Sequence, residues 1–559
     1  MPETTLLSQL DAYIEAHIEE SIAELAQLCR HSSVAAQGLG IAQCAQFVSE
    51  SLLKRGFLAD LIPTAGNPVI LAHKNGQSSR TLLFYNHYDV QPPDPIATWD
   101  SPPFELTRRD DLLIARGACE NKGELICRLA AIAAVEAVCG GLPCTVKFLI
   151  EGEEEIGSPN LPRFIEKHAA QLQANACVWD FGEINSQGAP VQYLGMRGIC
   201  FVELKAQTAW FEAHSGNFGS IFPNAAWRLT WALNSLKGPD ERIRIAGFYD
   251  DVLPPTERDL GLLALLPDET MNYGEFYGVT DFLKGLEGRE LQLEQILVPS
   301  CTICGLTAGY QGRGMKTILP AEAKAKVDFR LVPQQEPHDI VAKLRAHLDA
   351  EGFSDIEVEF VCGERPARTN PEDPFIQLVR QTATEVYPQP MLFWPMLGSS
   401  GPYYPFVQHL KVPIANAGIS YPGSHINGAN ENIRIADLIR GIKHVARIIL
   451  GMADYSTEAM TNSVAPLTER QQLAAERILE DEGLTGDLTD AQASALLEWA
   501  SAEAAHIAAD MAISDAEVEA AVTAIRRAVS QVATSAAAEI EPERLVILAQ
   551  KALRQLPQE

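Results

Sequence analysis

Several stretches of this chain carry an apolar run directly into acidic or imidazole side chains. LLFYNHYDVQPPD (82–94) ends in His87 and Asp89. Two residues apart on an extended backbone, they project to one side of a strand's carboxyl end, where Asp89 can orient the imidazole. TVKFLIEGEEEIGS (145–158) runs into Glu151, Glu153, Glu154 and Glu155. Three consecutive carboxylates at the end of a buried strand repel one another and stay ionised only beside a cation or with shifted pKa values. ACVWD (176–180) closes on a further carboxylate, Asp180. In ARGACENKGEL (115–125), Glu120 stands between a glycine-containing turn and a helix start, a place that also suits a carboxylate through the helix dipole. AWFEAHSGNFGS (209–220) sets His214 beside Gly216 and Gly219, in a loop from which an imidazole could reach a substrate oxygen. SYPGSHINGANENIR (420–434) carries His425, Asn427, Asn430 and Glu431 after the strand-like VPIANAGI.

Gathered in space, such groups hold a divalent cation, so the elements that carry them decide the matter. From about Leu6 to Ile150 helical and strand patterns alternate: a helix to Cys29, another over Gln43 to Arg55, the strands VILAH and TLLFYNHYDV, a helix from Lys122 to Val138, then TVKFLIEGEEE. That alternation predicts an α/β sheet with helices on its faces and ligands at the strands' carboxyl ends. After Gly198 the order becomes strand, helix (Asn224 to Leu236), a long irregular insertion from Glu241 to Leu297, strand, strand, helix (Pro337 to Glu351), strand. This β-α-β-β-α-β order predicts a small split-βαβ domain inserted into the first. The α/β pattern resumes near Thr369. At Met452 composition shifts to an Ala- and Glu-rich, cysteine-free stretch read as an all-α extension. The expected boundaries are 1–197 and 369–452 for the two parts of the α/β domain, 198–368 for the insert and 453–559 for the extension.

The 559 residues exceed one ordinary core, and 47% hydrophobic against 21% charged residues is a globular composition. A net charge of −29 repels phosphate backbones and anionic lipid, which argues against nucleic-acid and membrane partners. The N-terminal stretch reads as an acidic amphipathic helix without a basic region followed by an apolar one, so no secretory signal is expected, and no apolar run reaches membrane-spanning length. Eleven scattered cysteines point to reduced thiols and a cytoplasmic home. Cys301 and Cys304 form C-x-x-C within a strand-like run, where positions three apart face opposite sides, which is unsuited to zinc or redox use.

Taken in order, the motifs HYDVQP, RGACENKG, EGEEEIGS, YLGMRG, HSGNFG, FRLVP and NENIR resemble the aminoacylase/carboxypeptidase G/carnosinase family of di-zinc metallopeptidases, above all its carnosinase-like dipeptidase branch, over about residues 10–450. The resemblance implies an α/β catalytic domain with a mainly parallel central sheet, an inserted lid domain that dimerises, and hydrolysis of a peptide or related amide bond in a small carboxylate-bearing substrate. It implies two divalent ions, zinc before manganese or cobalt. His87 and Asp180 would bind one ion, Glu155 the other, and Glu120 would bridge them in a place where the family has Asp. Asp89 would orient His87, and Glu154 would be the general base. His214 would steady the oxyanion in a partner subunit's site, and Arg330 would clamp the substrate carboxylate. For the last metal ligand two candidates stand open: His425, or Asn427, which aligns with the family's histidine. Glu120 and Asn427 also leave room for a second expectation, an altered or non-catalytic homologue that binds or assembles through its C-terminal helices.

Overall fold

The structure, a computed structural model, describes residues 3–455 except 269 and 454. The chain divides into two units, Met1–Tyr455 and Ser456–Glu559. The expected helical extension thus lies, from 456 onward, outside the described residues.

The first unit is an α/β fold. Its main sheet contains β1 (Leu58–Ile62), β2 (Val69–Lys74), β3 (Thr81–His87), β4 (Thr145–Glu151) and β5 (Ala176–Val178). They lie in the order β1-β2-β4-β3-β5, with the short strand Ile414–Ala415 closing the far edge. The β1/β2 and β2/β4 pairings are antiparallel, whereas β4/β3, β3/β5 and the pairing to Ile414–Ala415 are parallel. Parallel pairing is what matters for function, because it brings the carboxyl ends of β3, β4 and β5 to one edge; His87 lies directly opposite Glu151.

Both faces of these strands are buried, which explains their near-continuous apolar sequence. Leu82, Phe84, Phe148 and Val178 turn to one core. Leu83, Tyr85, Leu149, Cys177 and Trp179 turn to the other. The first core is closed by α1 (Ile18–Cys29), α2 (Ile41–Lys54) and α3 (Lys122–Cys139). α3 packs on the late helix Ile435–Gly451 and is buried along most of its length, so its first turn, just after Glu120, is rigidly placed.

A second sheet holds β6 (Gly198–Gln207), β7 (Ser300–Ala308), β8 (Glu322–Leu331) and β9 (Glu357–Glu364), all antiparallel in the order β7-β8-β6-β9. Strand β6 alternates buried and half-buried residues, the pattern of a sheet covered on one face. That face packs under α4 (Ala225–Leu236) and α5 (Pro337–Ala350) through Leu229, Leu233, Ile340, Leu344 and Leu348. The stretch expected to be irregular, Glu241 to Leu297, instead carries three short helices, Glu257–Ala264, Thr270–Tyr277 and Gly288–Leu297. Within β7, Cys301 is buried and Cys304 exposed, on opposite sides of the strand, and all eleven cysteines are free.

Candidate metal centre

The carboxyl edge of the main sheet is built by turns that each follow a strand. His87 is the last residue of β3 and is fully buried. Its Nδ1 lies 3.0 Å from the Asp89 carbonyl oxygen and 3.4 Å from Asp89 Oδ1, which leaves Nε2 facing the site without a partner. Asp89 does more than orient this ring. Its Oδ1 accepts the Glu154 backbone N–H at 3.3 Å and its Oδ2 that of Glu155 at 3.1 Å. One carboxylate therefore fixes the end of β3 against the 3₁₀ turn Glu154–Ile156 that follows β4. The turn needs Gly152, because a Cβ there would stand 2.2 Å from the Tyr88 ring.

Asp180 follows β5, is buried, and places Oδ2 3.9 Å from His87 Nε2 while its Oδ1 has no partner. Asn121 holds it in place, donating to the Asp180 carbonyl at 2.6 Å and accepting the His87 backbone N–H at 3.3 Å. Glu120 precedes α3. Its backbone N–H, with those of Gly117 and Cys119, points at the fully buried Glu431, whose Oε2 also takes Arg116 Nη1 at 2.6 Å. Glu431 thus pins the Glu120 loop to the 420–434 loop.

Glu155 Oε2 accepts the Gln91 amide at 2.9 Å, and the Asn427 amide nitrogen lies 3.4 Å away; Glu155 Oε1 is buried and unpartnered. Of the two candidates in that loop, Asn427 is therefore the one that faces Glu155. His425 is exposed and turns Nδ1 to its own loop, 3.3 Å from the Ala429 carbonyl. The expectation that His425 supplies the last ligand is not met by this arrangement. The physical reason is the backbone: His425, Asn427 and Asn430 all adopt positive φ, 51°, 59° and 60°, and this left-handed course sends the 425 and 427 side chains apart.

Ligand atoms of His87, Glu154 and Glu155 lie within 4.8 Å of one another. Burial raises the carboxyls of Glu154 and Glu155 to about 7 and of Asp180 to about 6, against the pull of His87. It raises Glu120 well above the ordinary range, and the charge of Glu155 adds to this. For His87, burial works toward a lower value, but Asp89 and Glu154 outweigh it and raise the imidazole strongly. Among the described residues His87 is the only basic group within 4.0 Å of these acids. The site therefore has an excess of buried negative charge and three unpartnered donor atoms, on His87, Glu155 and Asp180, a set that fits a divalent cation of the zinc, manganese or cobalt kind.

Beside it lies a cavity of about 230 Å³ lined by Glu120, Glu154, Asp180, Glu183, Tyr193 and Ser400, among others. Arg330, on β8, is not itself a lining residue; it donates from Nη1 to the lining Ser400 Oγ at 2.9 Å and from Nε to Asp328 Oδ2 at 3.3 Å. His214 is not brought to the cavity; it is exposed, with Nδ1 3.2 Å from the Gly216 amide and Nε2 3.2 Å from Thr317 Oγ1. Sequence reasoning gave no role to Asn121, Gln91 or Arg116, and named Glu431 without one. Only their position inside ENKG, HYDVQP, RGA and NENIR could have drawn attention to them.

The model of the family described as Peptidase family M20/M25/M40 matches residues 83–451, and this chain belongs to that family. Human Beta-Ala-His dipeptidase is 29% identical over 401 residues, 69% of this chain and 78% of that protein. The Cys-Gly metallodipeptidase dug1 of Schizosaccharomyces pombe is 30% identical over 291 residues, 50% of this chain and 60% of its own length. The solved M20 family metallo-carboxypeptidase Sso-CP2 from Sulfolobus solfataricus superposes with a TM-score of 0.74 at 34% identity, covering 78% of this chain and all of that one. The chain is accordingly a metal-dependent hydrolase of peptide bonds. The non-catalytic expectation draws no support from these relatives, each of which is named as a peptidase.

Proposed function

We propose that this chain acts on dipeptides or closely related small amides that carry a free carboxylate, as a dipeptidase or carboxypeptidase-like enzyme with two divalent ions, zinc first. The observation that carries this reading is the convergence of unpartnered His87, Glu155 and Asp180 atoms beside a cavity whose lining residue Ser400 is bonded to Arg330. One ion would be held by His87 and Asp180 and the other by Glu155 and the Asn427 side of its loop, with Glu120 as a ligand available to either. Divalent ions held there would supply polarisation of a carbonyl and acidification of a water.

The chain's own residues do the rest. Asp89 fixes the His87 ring, leaving Nε2 free to bind. Glu154, half-buried and with a carboxyl lifted to about 7, takes the proton of the attacking water and passes it to the leaving amine. Arg330 pairs with the substrate's carboxylate in a two-pronged contact beside Ser400, which sets where the scissile bond falls. Sheet β6–β9 with its two helices, within 198–368, serves as the lid, between the two α/β parts 1–197 and 369–452.

Dimerisation through the lid is supported by its apolar outer surface. Trp227 and Trp231 stack on exposed α4, and edge strand β7 exposes Ile303 and Leu306. In such a dimer His214 reaches the partner subunit's site to stabilise the oxyanion. The segment after 452 is proposed as the place where a further partner associates. Among the described residues no helix is long and apolar enough to cross a membrane, and the free thiols suit the reducing cytoplasm.

The test is metal analysis of the full-length protein after zinc reconstitution, paired with hydrolysis of a dipeptide panel with and without chelator. Metal-bearing protein with chelator-sensitive cleavage is expected. Less than one transition ion per chain, with no chelator-sensitive amidase activity, would overturn the reading.

A further inference from the structure

Two carboxylates that line the cavity beside the metal centre, Glu124 and Glu183, have no part in the chemistry above. Glu183 lies three residues beyond Asp180 at the start of the short strand Glu183–Ile184. Its Oε1 accepts a hydrogen bond from the Tyr193 hydroxyl, which also lines the cavity. No Lys, Arg or His among the described residues lies within 4.0 Å of it, although the chain pairs its other cavity-lining acid outside the metal centre, Glu124, with Arg128 at 2.8 Å. Much of the neighbouring wall is apolar: Trp179, Phe181, Met196 and Leu397. Burial raises the Glu183 carboxyl above its ordinary value and the Tyr193 bond draws it back, so the group sits where an ionised carboxylate is costly without a cationic partner.

We propose that Glu183 binds the free α-ammonium group of the substrate, making the cavity a two-ended gauge that selects dipeptides with an unblocked amino terminus. This rests on the reading of the site as a dipeptidase and adds the second end. Ser400, tied to Arg330, and Glu183 line the same cavity of about 230 Å³ as Glu120, Glu154 and Asp180. A small zwitterion placed there meets a guanidinium with its carboxylate and Glu183 with its ammonium, while its peptide bond faces the metal-binding acids. An N-acylated substrate would instead set a neutral amide against an unpaired carboxylate and pay its desolvation without compensation. Of the two ammonium sources, an amino terminus and a lysine side chain, the first is the one whose distance from the scissile bond is the same in every dipeptide of α-amino acids.

The experiment uses the zinc-reconstituted full-length protein and an uncleavable ketomethylene isostere of Ala-Ala, free or N-acetylated. Calorimetry gives the affinity ratio of the free to the acetylated form. In the unsubstituted protein the free form should bind at least about tenfold tighter, the size of one charge-assisted contact. In Glu183→Gln, which keeps an acceptor for Tyr193, the ratio should fall toward unity. A ratio near unity in the unsubstituted protein, or one equally high in both proteins, overturns the proposal, and an ε-amino preference would show itself in the first of these ways. Because binding of the isosteres needs no turnover, failure of Ala-Ala hydrolysis would count against the dipeptidase reading alone.

Discussion

Replacing Glu431 by glutamine tests whether the metal-site loop is held by one buried charge. The carboxylate accepts four donors, two on each oxygen: Arg116 Nη1 and Gly117 N on Oε2, Cys119 N and Glu120 N on Oε1. Both members of the ion pair are buried, at 1% and 0% side-chain exposure. In Glu431→Gln either orientation of the amide turns an NH₂ toward two of these donors, so two contacts become repulsive and Arg116 is left as an uncompensated buried cation. Breaking one side of a buried pair costs about 3–5 kcal/mol, which is roughly two to nearly four decades in the unfolding equilibrium. Urea unfolding of the full-length protein in excess chelator removes any contribution from bound metal. An unfolding free energy lowered by about 3–5 kcal/mol is expected. A loss below about 1 kcal/mol would refute the view that Glu431 holds the loop by charge.

Two further outcomes follow from the same geometry. Asn427→His places an imidazole where the amide now lies 3.4 Å from Glu155, so bound zinc per chain, by elemental analysis after dialysis against buffered free metal, should rise; an unchanged content would show that this side of the loop does not face an ion. The second concerns buried His444, whose Nε2 lies 3.1 Å from the Val379 carbonyl and whose pKa is lowered to about 4, chiefly by burial. A depressed folded-state value means that its stabilising share is complete above about 6.5 and is lost as pH falls toward 4. Between pH 8 and 4.5 it should remove about 2.5 kcal/mol of unfolding free energy in chelator, a part that His444→Gln should not show. Equal pH slopes in both proteins would contradict it.

The acids at strand ends were legible in the sequence because a buried parallel strand announces its own end. Continuous apolar residues followed at once by His87-x-Asp89, Glu153–Glu155 or Asp180 leave the charged group nowhere to go but the carboxyl edge. The β-α-β-β-α-β element order was legible for a similar reason, since strands such as β6 alternate cleanly over ten residues. The 241–297 stretch was not. Its helices are only eight to ten residues long, and the first buries just Asp259 and Leu263, so periodicity gave little to read. The Arg116–Glu431 pair joins residues 315 apart, and nothing local in either segment marks the other as its partner. His425 and Asn427 show a different barrier: two residues apart, they would share a side on an extended backbone, and only the left-handed φ values separate them.

These separate contacts share one design. Each of the groups directed at the metal position is fixed by a neighbour that does not itself face it: His87 and the Glu154–Glu155 turn by Asp89, Asp180 by Asn121, Glu120 by Glu431, Glu155 by Gln91. Fixing the acids before the cation arrives costs stability, since burial and, after it, neighbouring like charges disfavour their ionised forms, as their raised carboxyl values record. It also spares the cost of reorganising them on binding, which makes affinity depend on the donors' identity more than on loop motion. Under that logic the two sides of the site are unequal. Around His87 and Asp180 the side-chain atoms Nε2 and Oδ1 have no partner, whereas Glu155 keeps only Oε1 without one, its Oε2 already facing two amides. An ion on the Glu155 side would find Oε1 free but compete with the amides for Oε2, so metal should load first on the His87 side, and the imidazole of Asn427→His acts on the weaker of the two.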